Sequence, residues 1–237
     1  RLNERFGKSS ISKINKKIIW LHGSSVGESV AALALANSML KIGFKKKEFH
    51  FLITTNTLTS SNFVNNKIKD GFPGIHQFNP FDHPKYVERF LNYWKPEMAI
   101  FMESDFWPNL ICKSSDHNIP TILASSQMSK KSSRFWKGLG NGLAKKVFKS
   151  IDLVLAVDPV NAELFKNLGT KRVRSLTSLK SIADKPKINV EYIKQLKDCL
   201  KNKSILLAAS THAGEEEILI QLANNLRTKG INNSLTI

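Results

Sequence analysis

Trp20-Leu21-His22-Gly23-Ser24-Ser25-Val26-Gly27-Glu28-Ser29 is the stretch on which the reading of this chain turns. A short apolar run, Ile18 to His22, enters a loop of small residues, and a helix-like run from Glu28 to Leu40 follows. Strand, small-residue loop, helix: that order presents backbone N–H groups at a helix N-terminus, where an anion is welcome. Gly23 and Gly27 let the backbone turn tightly, and Ser25 and Gly27 are candidates for touching a substrate there. Ser25 and Glu28 also form an S-x-x-E capping box, which on its own accounts for both residues. The loop is no phosphate-cradling P-loop, because GK[ST] is absent, and it carries no GxGxxG.

The same alternation recurs outward from this point. Phe51 to Thr55, Met98 to Met102, Thr121 to Ala124, Leu153 to Val157 and Ile205 to Ala209 read as buried strands, being short, apolar and bounded by polar turns. Between them lie helix-like stretches at Pro84 to Tyr93, Trp107 to Ser114, Phe135 to Lys149, Pro159 to Leu168 and Glu215 to Arg227. Strands alternating with helices predict an α/β fold built of parallel βαβ units with right-handed crossovers. Ligands in such sheets sit at the carboxyl ends of the strands. A change of character near Thr177 opens a lysine-rich segment without a strong strand until Ile205. The expected organisation is a first domain over 1–176, a linker or bridging segment over 177–203, and the start of a second α/β domain over 204–237.

Two more strand ends carry polar groups. Glu103-Ser104-Asp105-Phe106-Trp107-Pro108-Asn109 follows the strand at Met98 to Met102. Pro108 suits the first turn of a helix and Asp105 could cap it, which leaves Glu103 less well explained by capping. Ala209-Ser210-Thr211-His212-Ala213-Gly214-Glu215-Glu216-Glu217 ends a strand in hydroxyls and opens a helix with acids. It reads either as an ordinary helix start or as a second, phosphate-handling loop.

Composition narrows the class. At 41 % hydrophobic and 23 % charged the chain is that of a globular protein. Thirty-six Lys and Arg against 19 Asp and Glu leave a formal +17, a field that attracts polyanions such as anionic membrane or phosphorylated substrates. A lysine- and asparagine-rich composition that simply biases the surface is the competing explanation. Cys112 and Cys199 stand far apart without CxxC spacing, so neither a zinc site nor a disulfide framework is expected, and a reducing compartment fits. No run approaches the roughly 18 apolar residues of a membrane span. Arg1 in place of an initiator Met, and the ending Ser-Leu-Thr-Ile, read as truncation at both ends.

Together these segments resemble the Kdo transferases (3-deoxy-D-manno-octulosonic acid transferases) of lipopolysaccharide synthesis. The family's W-x-H-x-x-S-V-G-E, E-[ST]-E-x-W-P-N and S-T-H-x-G-E-E segments are matched, in that order, by Trp20 to Glu28, Glu103 to Asn109 and Ser210 to Glu216. Thr54-Thr55 and Phe81-Asp82-His83-Pro84 also sit where the family has similar motifs. The resemblance implies two Rossmann-like domains of the GT-B glycosyltransferase type, the second only partly present. It implies transfer of Kdo from CMP-Kdo to a lipid A precursor, lipid IVA, with inversion, at the cytoplasmic face of the bacterial inner membrane. Glu28 would be the general base, with Glu103 and Lys180 assisting the transition state. Ser210, Thr211, His212 and Glu215 would contact substrate in the second domain. The only small molecule implied is the CMP-Kdo donor; no other cofactor, no metal ligand and no nucleic acid is expected.

Some positions depart from the pattern. Thr177-Ser178-Leu179-Lys180 stands where the family has G-N-L-K, and Ser125-Ser126-Gln127-Met128-Ser129 where it has N-A-R-[LM]-S. Asp105 replaces a Glu, and the family's later P-R-H-P and glycine-rich nucleotide motifs lie beyond Ile237, so this polypeptide alone is not expected to bind CMP-Kdo productively. Phe135-Trp136 beside Lys130, Lys131, Arg134 and Lys137 suits contact with lipid and its phosphates, or equally a core aromatic pair with solvated lysines. Two alternatives stay open: a basic protein that binds anionic membrane or nucleic acid without catalysis, and an inactive family member, suggested by Gln127, Thr177 and Ser178.

Overall fold

Strand and helix alternate along the chain because each apolar strand needs covering on both faces. The computed structural model describes residues 1–45, 47–103, 106–138, 141–176, 179, 189–201, 204–229 and 233–236. The chain divides into two units, Arg1–Asp184 and Lys185–Ile237. The first begins with α1 (Leu2–Arg5), β1 (Lys17–His22), α2 (Val26–Lys41), β2 (Phe49–Thr55) and α3 (Leu58–Lys69). It continues through β3 (Gly74–Phe78), α4 (Pro84–Trp94), β4 (Met98–Met102), α5 (Pro108–Asp116) and β5 (Thr121–Ser126). It closes with α6 (Lys130–Gly138), α7 (Asn141–Lys149), β6 (Leu153–Ala156), α8 (Pro159–Asn167) and β7 (Val173–Ser175). The second unit contains α9 (Val190–Cys199), β8 (Ser204–Leu207), α10 (Glu215–Thr228) and β9 (Asn233–Thr236), with β8 and β9 paired in parallel.

The strands of the first unit form one sheet in the order β3-β2-β1-β4-β5-β6-β7, and every pairing is parallel. Alternate residues of β1 feed opposite cores. Ile18 and Trp20 pack with Phe90, Leu91, Trp94 and Phe101 on one face. Ile19 and Leu21 pack with Ala31, Ala32, Ala36, Phe51 and Ile53 on the other. The alanines of α2 keep that helix close to the sheet.

The order reverses between β1 and β4. To one side the chain steps through β2 to β3; to the other it steps from β5 to β7. The crossovers after β1 and β4 therefore leave towards opposite ends of the sheet, which opens a crevice at their carboxyl ends.

Several expectations need correction. The helix expected from Phe135 to Lys149 is two helices, α6 starting at Lys130 and α7 at Asn141. Gly138 ends the first and Gly142 lies near the start of the second, and each costs a helix interior about 1 kcal/mol against alanine. The expected strand Ile205 to Ala209 ends at Leu207. The N-cap of α5 is Trp107, without a side-chain cap bond, rather than Asp105, which lies outside the described residues. Its first donors are taken from a distance: Asp82 accepts the N–H of Asn109 (3.1 Å) and of Leu110 (2.8 Å). The expected core or lipid role of Phe135-Trp136 divides, with Trp136 buried against Phe106 and Phe148 and Phe135 exposed.

One buried group gives a pH dependence. His76 of β3 is buried, with Nε2 2.8 Å from Thr55 Oγ1 and Nδ1 3.4 Å from Ser61 Oγ. Burial first, then the positive charge of Arg1, lowers its pKa from 6.5 to about 3, against the opposing pull of Glu4. The unfolded chain thus binds a proton near pH 6.5 that the folded chain refuses until near pH 3. Stability from the neutral imidazole is complete above 6.5 and is lost as pH falls through that window, by up to about 1.4 kcal/mol per pH unit. His76→Gln is expected to flatten the slope of unfolding free energy between those limits, measured by urea titration at a series of pH values.

Candidate active site

At the carboxyl end of β1 the backbone turns at Gly23, whose N–H donates to Thr54 O at 3.0 Å. A Cβ on Gly23 would lie 3.0 Å from the carbonyl carbon of Glu28 and 3.1 Å from its Cβ, so glycine lets α2 start directly behind the strand. Ser25 caps α2 as its sequence pattern predicts: Oγ accepts the Glu28 N–H at 3.2 Å. The Glu28 carboxylate turns back over the same helix start. Its Oε2 accepts the Ser24 N–H at 2.7 Å and its Oε1 accepts the Ser25 hydroxyl at 3.1 Å. Glu28 is half-buried, while Ser25 and Gly27 are exposed.

A buried polar chain supports the loop from beneath. Trp20 Nε1 donates to Thr54 Oγ1 (2.8 Å), which lies 2.9 Å from His22 Nδ1. His22 Nε2 is 3.3 Å from Ser24 Oγ. Asn56 Nδ2 donates to that same oxygen at 2.6 Å, and Ser60 Oγ donates to Ser24 O at 3.2 Å.

Glu103 follows β4, the strand paired to β1 at the sheet's reversal, so its residue and the Glu28 loop leave neighbouring strand ends. Its backbone is left-handed, with φ 55°, and its N–H donates to Ala124 O at 2.9 Å. Ser125, one strand further, is left-handed too at φ 56°, where the β5–β6 register shifts. Such conformations cost a side-chain-bearing residue on the order of 1–3 kcal/mol, and they gather at functional sites. Ser125 Oγ accepts the Leu179 N–H at 3.1 Å, and Leu179 packs on the core beneath α2. Lys180, the expected helper, lies outside the described residues.

A cleft of about 470 Å³ opens along the same edge, lined by Phe106, Gln127, Met128, Ser129, Ser132 and Asn161. Asn161 accepts the Met128 N–H at 2.6 Å and donates to Asp158 at 2.8 Å, so its side chain is fixed. Helix α6, beside it, carries Lys130, Lys131, Arg134 and Lys137 with the exposed Phe135.

The remaining candidates belong to the second unit. Ser210 is left-handed at φ 58° and exposed. Thr211 Oγ1 donates to Glu216 Oε1 (2.7 Å), and the His212 N–H donates to Glu215 Oε2 (2.9 Å). Gly214 is the N-cap of α10, whose first turn carries Glu215, Glu216 and Glu217. Glu215 thus closes its own turn. Among the described residues no group of three or more His, Cys, Asp or Glu side chains could hold a metal ion.

A family model described as 3-deoxy-D-manno-octulosonic-acid transferase (kdotransferase) matches residues 1–183, the whole of the sheet and its helices. The chain belongs to the Kdo transferase family. A 3-deoxy-D-manno-octulosonic acid transferase of Rickettsia bellii is 33 % identical over 233 residues, 98 % of this chain and 54 % of the relative. One of Haemophilus influenzae is 29 % identical over 235 residues, 97 % of this chain and 53 % of that protein. The chain therefore spans about half the length of these Kdo transferases. Among solved structures, Staphylococcus aureus MnaA with UDP aligns at TM-score 0.58 over 93 % of this chain and 61 % of its own, at 13 % identity. That likeness concerns fold alone, and the fold is α/β, Rossmann-like, of the GT-B type.

Asn56 and Asn161 were not expected at the site or its supports, while Ser24 and Ser125 were visible only as members of the first loop and of the Ser125 to Ser129 segment. Asp82 was visible only as part of the Phe81 to Pro84 motif. Removing the cap tests the first loop. Ser25→Ala is expected to lower stability by about 1 kcal/mol and Ser25→Gly by only a few tenths, read from urea midpoints at unchanged m-value.

Proposed function

We propose that the full-length protein transfers Kdo from CMP-Kdo to a hydroxyl of a lipid A precursor, lipid IVA, as an early step of lipopolysaccharide synthesis. The observation that carries this reading is the placement of Glu28 and Glu103 on neighbouring loops at the sheet's reversal, in a chain whose family is named for the reaction. Glu28 takes the proton of the acceptor hydroxyl. The oxygen then bonds to the anomeric carbon of Kdo while the bond to the CMP phosphate breaks on the opposite face, which inverts that centre. Glu103 stabilises the oxocarbenium-like state, and Lys180 meets the negative charge of the departing CMP. Ser25 and Gly27 line the acceptor side; Ser210, Thr211, His212 and Glu215 serve the donor side from the second unit.

The cleft beneath α6 suits the polar head of the acceptor: serines, Gln127 and Asn161 offer hydrogen bonds, and Phe106 a face for a sugar ring. The lysines and Arg134 of α6, with Phe135, would rest on anionic lipid, which supports a location at the cytoplasmic face of the inner membrane. Among the described residues no helix is long and apolar enough to cross a membrane.

The test is mass spectrometry of lipid IVA after incubation with CMP-Kdo and the full-length gene product. A mass gain of one or more Kdo units is expected, and Glu28→Gln should lower the rate by at least about a hundredfold while the protein stays folded. An unchanged lipid with folded wild-type protein would sink the reading in favour of a non-catalytic one.

A further inference from the structure

Glu28 does not hold its own orientation. Its Oε2 accepts the Ser24 N–H at 2.7 Å and its Oε1 the Ser25 hydroxyl at 3.1 Å, so the position of Ser24 is one of the constraints that set where the carboxylate lies. Ser24 is in turn held from three sides. Its carbonyl accepts from Ser60 Oγ, and its hydroxyl lies beside His22 Nε2 and receives a short bond, 2.6 Å, from Asn56 Nδ2. The last of these comes from the loop after β2 and reaches across to the loop after β1.

Asn56 can donate in that direction only if its amide faces one way, and Arg5 decides which. The Arg5 guanidinium donates to Asn56 Oδ1 at 2.8 Å and also to Asn56 O, fixing both ends of the residue. It donates to Asn79 O at 2.9 Å and lies over the Phe78 ring, 4.9 Å from its centre. An arginine can only donate, so the atom facing it must be the amide oxygen, and the NH₂ is left for Ser24. Arg5, Asn56, Ser24 and Glu28 are thus linked in series by hydrogen bonds that join α1 to two strand ends, with Ser24 held through its hydroxyl and holding Glu28 through its N–H.

We propose that Asn56, oriented by Arg5, is a positioning residue for the Glu28 carboxylate, acting through Ser24. The inference rests on Glu28 being the general base. It assigns to the segment before β1 and to the end of β2 a part in the chemistry that no residue there performs directly. Ser24→Ala and Asn56→Ala both keep the Ser24 N–H, so loss of the Asn56 bond loosens the carboxylate without removing its donor. The rate of proton removal should suffer while substrate affinity does not.

The experiment is steady-state kinetics on the full-length protein and four variants: Asn56→Ala, Ser24→Ala, their double variant, and Glu28→Gln. Asn56→Ala is expected to lower kcat about tenfold, as loss of one aligning hydrogen bond would, with KM for donor and acceptor within about twofold. Ser24→Ala should fall by a similar factor. The double variant should fall no further than either single, because both remove the same tie. An Asn56→Ala kcat equal to wild type, or losses that multiply in the double variant, would overturn the positioning role, as would a change confined to KM or to melting temperature. Glu28→Gln separates the two ideas. If it is inactive while Asn56→Ala turns over normally, only the positioning role fails; if it turns over normally, the general-base reading fails and this one with it.

Discussion

Every strand of the first unit runs the same way, and that single constraint brings distant parts of the chain to one edge. Because β1 pairs with β4 in parallel, with Trp20 opposite Ala99 and His22 opposite Phe101, the residues that follow the two strands emerge side by side. Parallel strands are covered on both faces, so their interiors must be apolar and their polar residues collect at the ends. There the buried groups need partners, and Trp20, Thr54 and His22 supply one another. The support under the active edge is thus a by-product of closing the core correctly.

The same edge carries the backbone strain. Glu103 and Ser125 are both left-handed although neither is glycine. The surroundings hold them there: the Glu103 N–H is spent on Ala124 O, and Ser125 is buried at the bulge with its hydroxyl committed to Leu179. Stability given up at these two positions lets the chain turn away at the ends of β4 and β5. It also fixes the residue before Lys180 against the sheet.

Much of the fold was legible in the residues, and the reasons for the exceptions are physical. Strands such as Met98 to Met102 and the cap at Ser25 announce themselves through local composition. Helix α3 does not, because Thr59-Ser60-Ser61-Asn62 is made of poor helix formers, and the helix stands on its Thr57 cap and on burial of Ser60, Ser61 and Val64. Strand β3 hides its nature behind His76 and Gln77, polar residues that are buried only because Thr55, Ser61 and Trp94 bond to them. In the candidate site, Glu103 stands out at a strand end because capping does not explain it, whereas Glu28 is accounted for by its capping box and is picked out only by the family resemblance. Asn56 is picked out by neither, since its meaning depends on Arg5, an arginine 51 residues away. A dihedral angle such as that of Glu103 is likewise written in no single residue type.

The cap of α5 carries a consequence of another kind. Asp82 and Asn109, 27 residues apart, hold each other through the carboxylate, the carbonyl and two donors of Asn109. Each is one half of a lock whose other half lies in a different sequence motif. Loss of the Asp82 carboxylate would take the acceptor from the N–H groups of Asn109 and Leu110, and loss of the Asn109 amide would remove its bonds to Asp82 O and Oδ2. A chimera that exchanged one of these segments for a sequence lacking its half would therefore lose the bonds that join the loop before α4 to the start of α5.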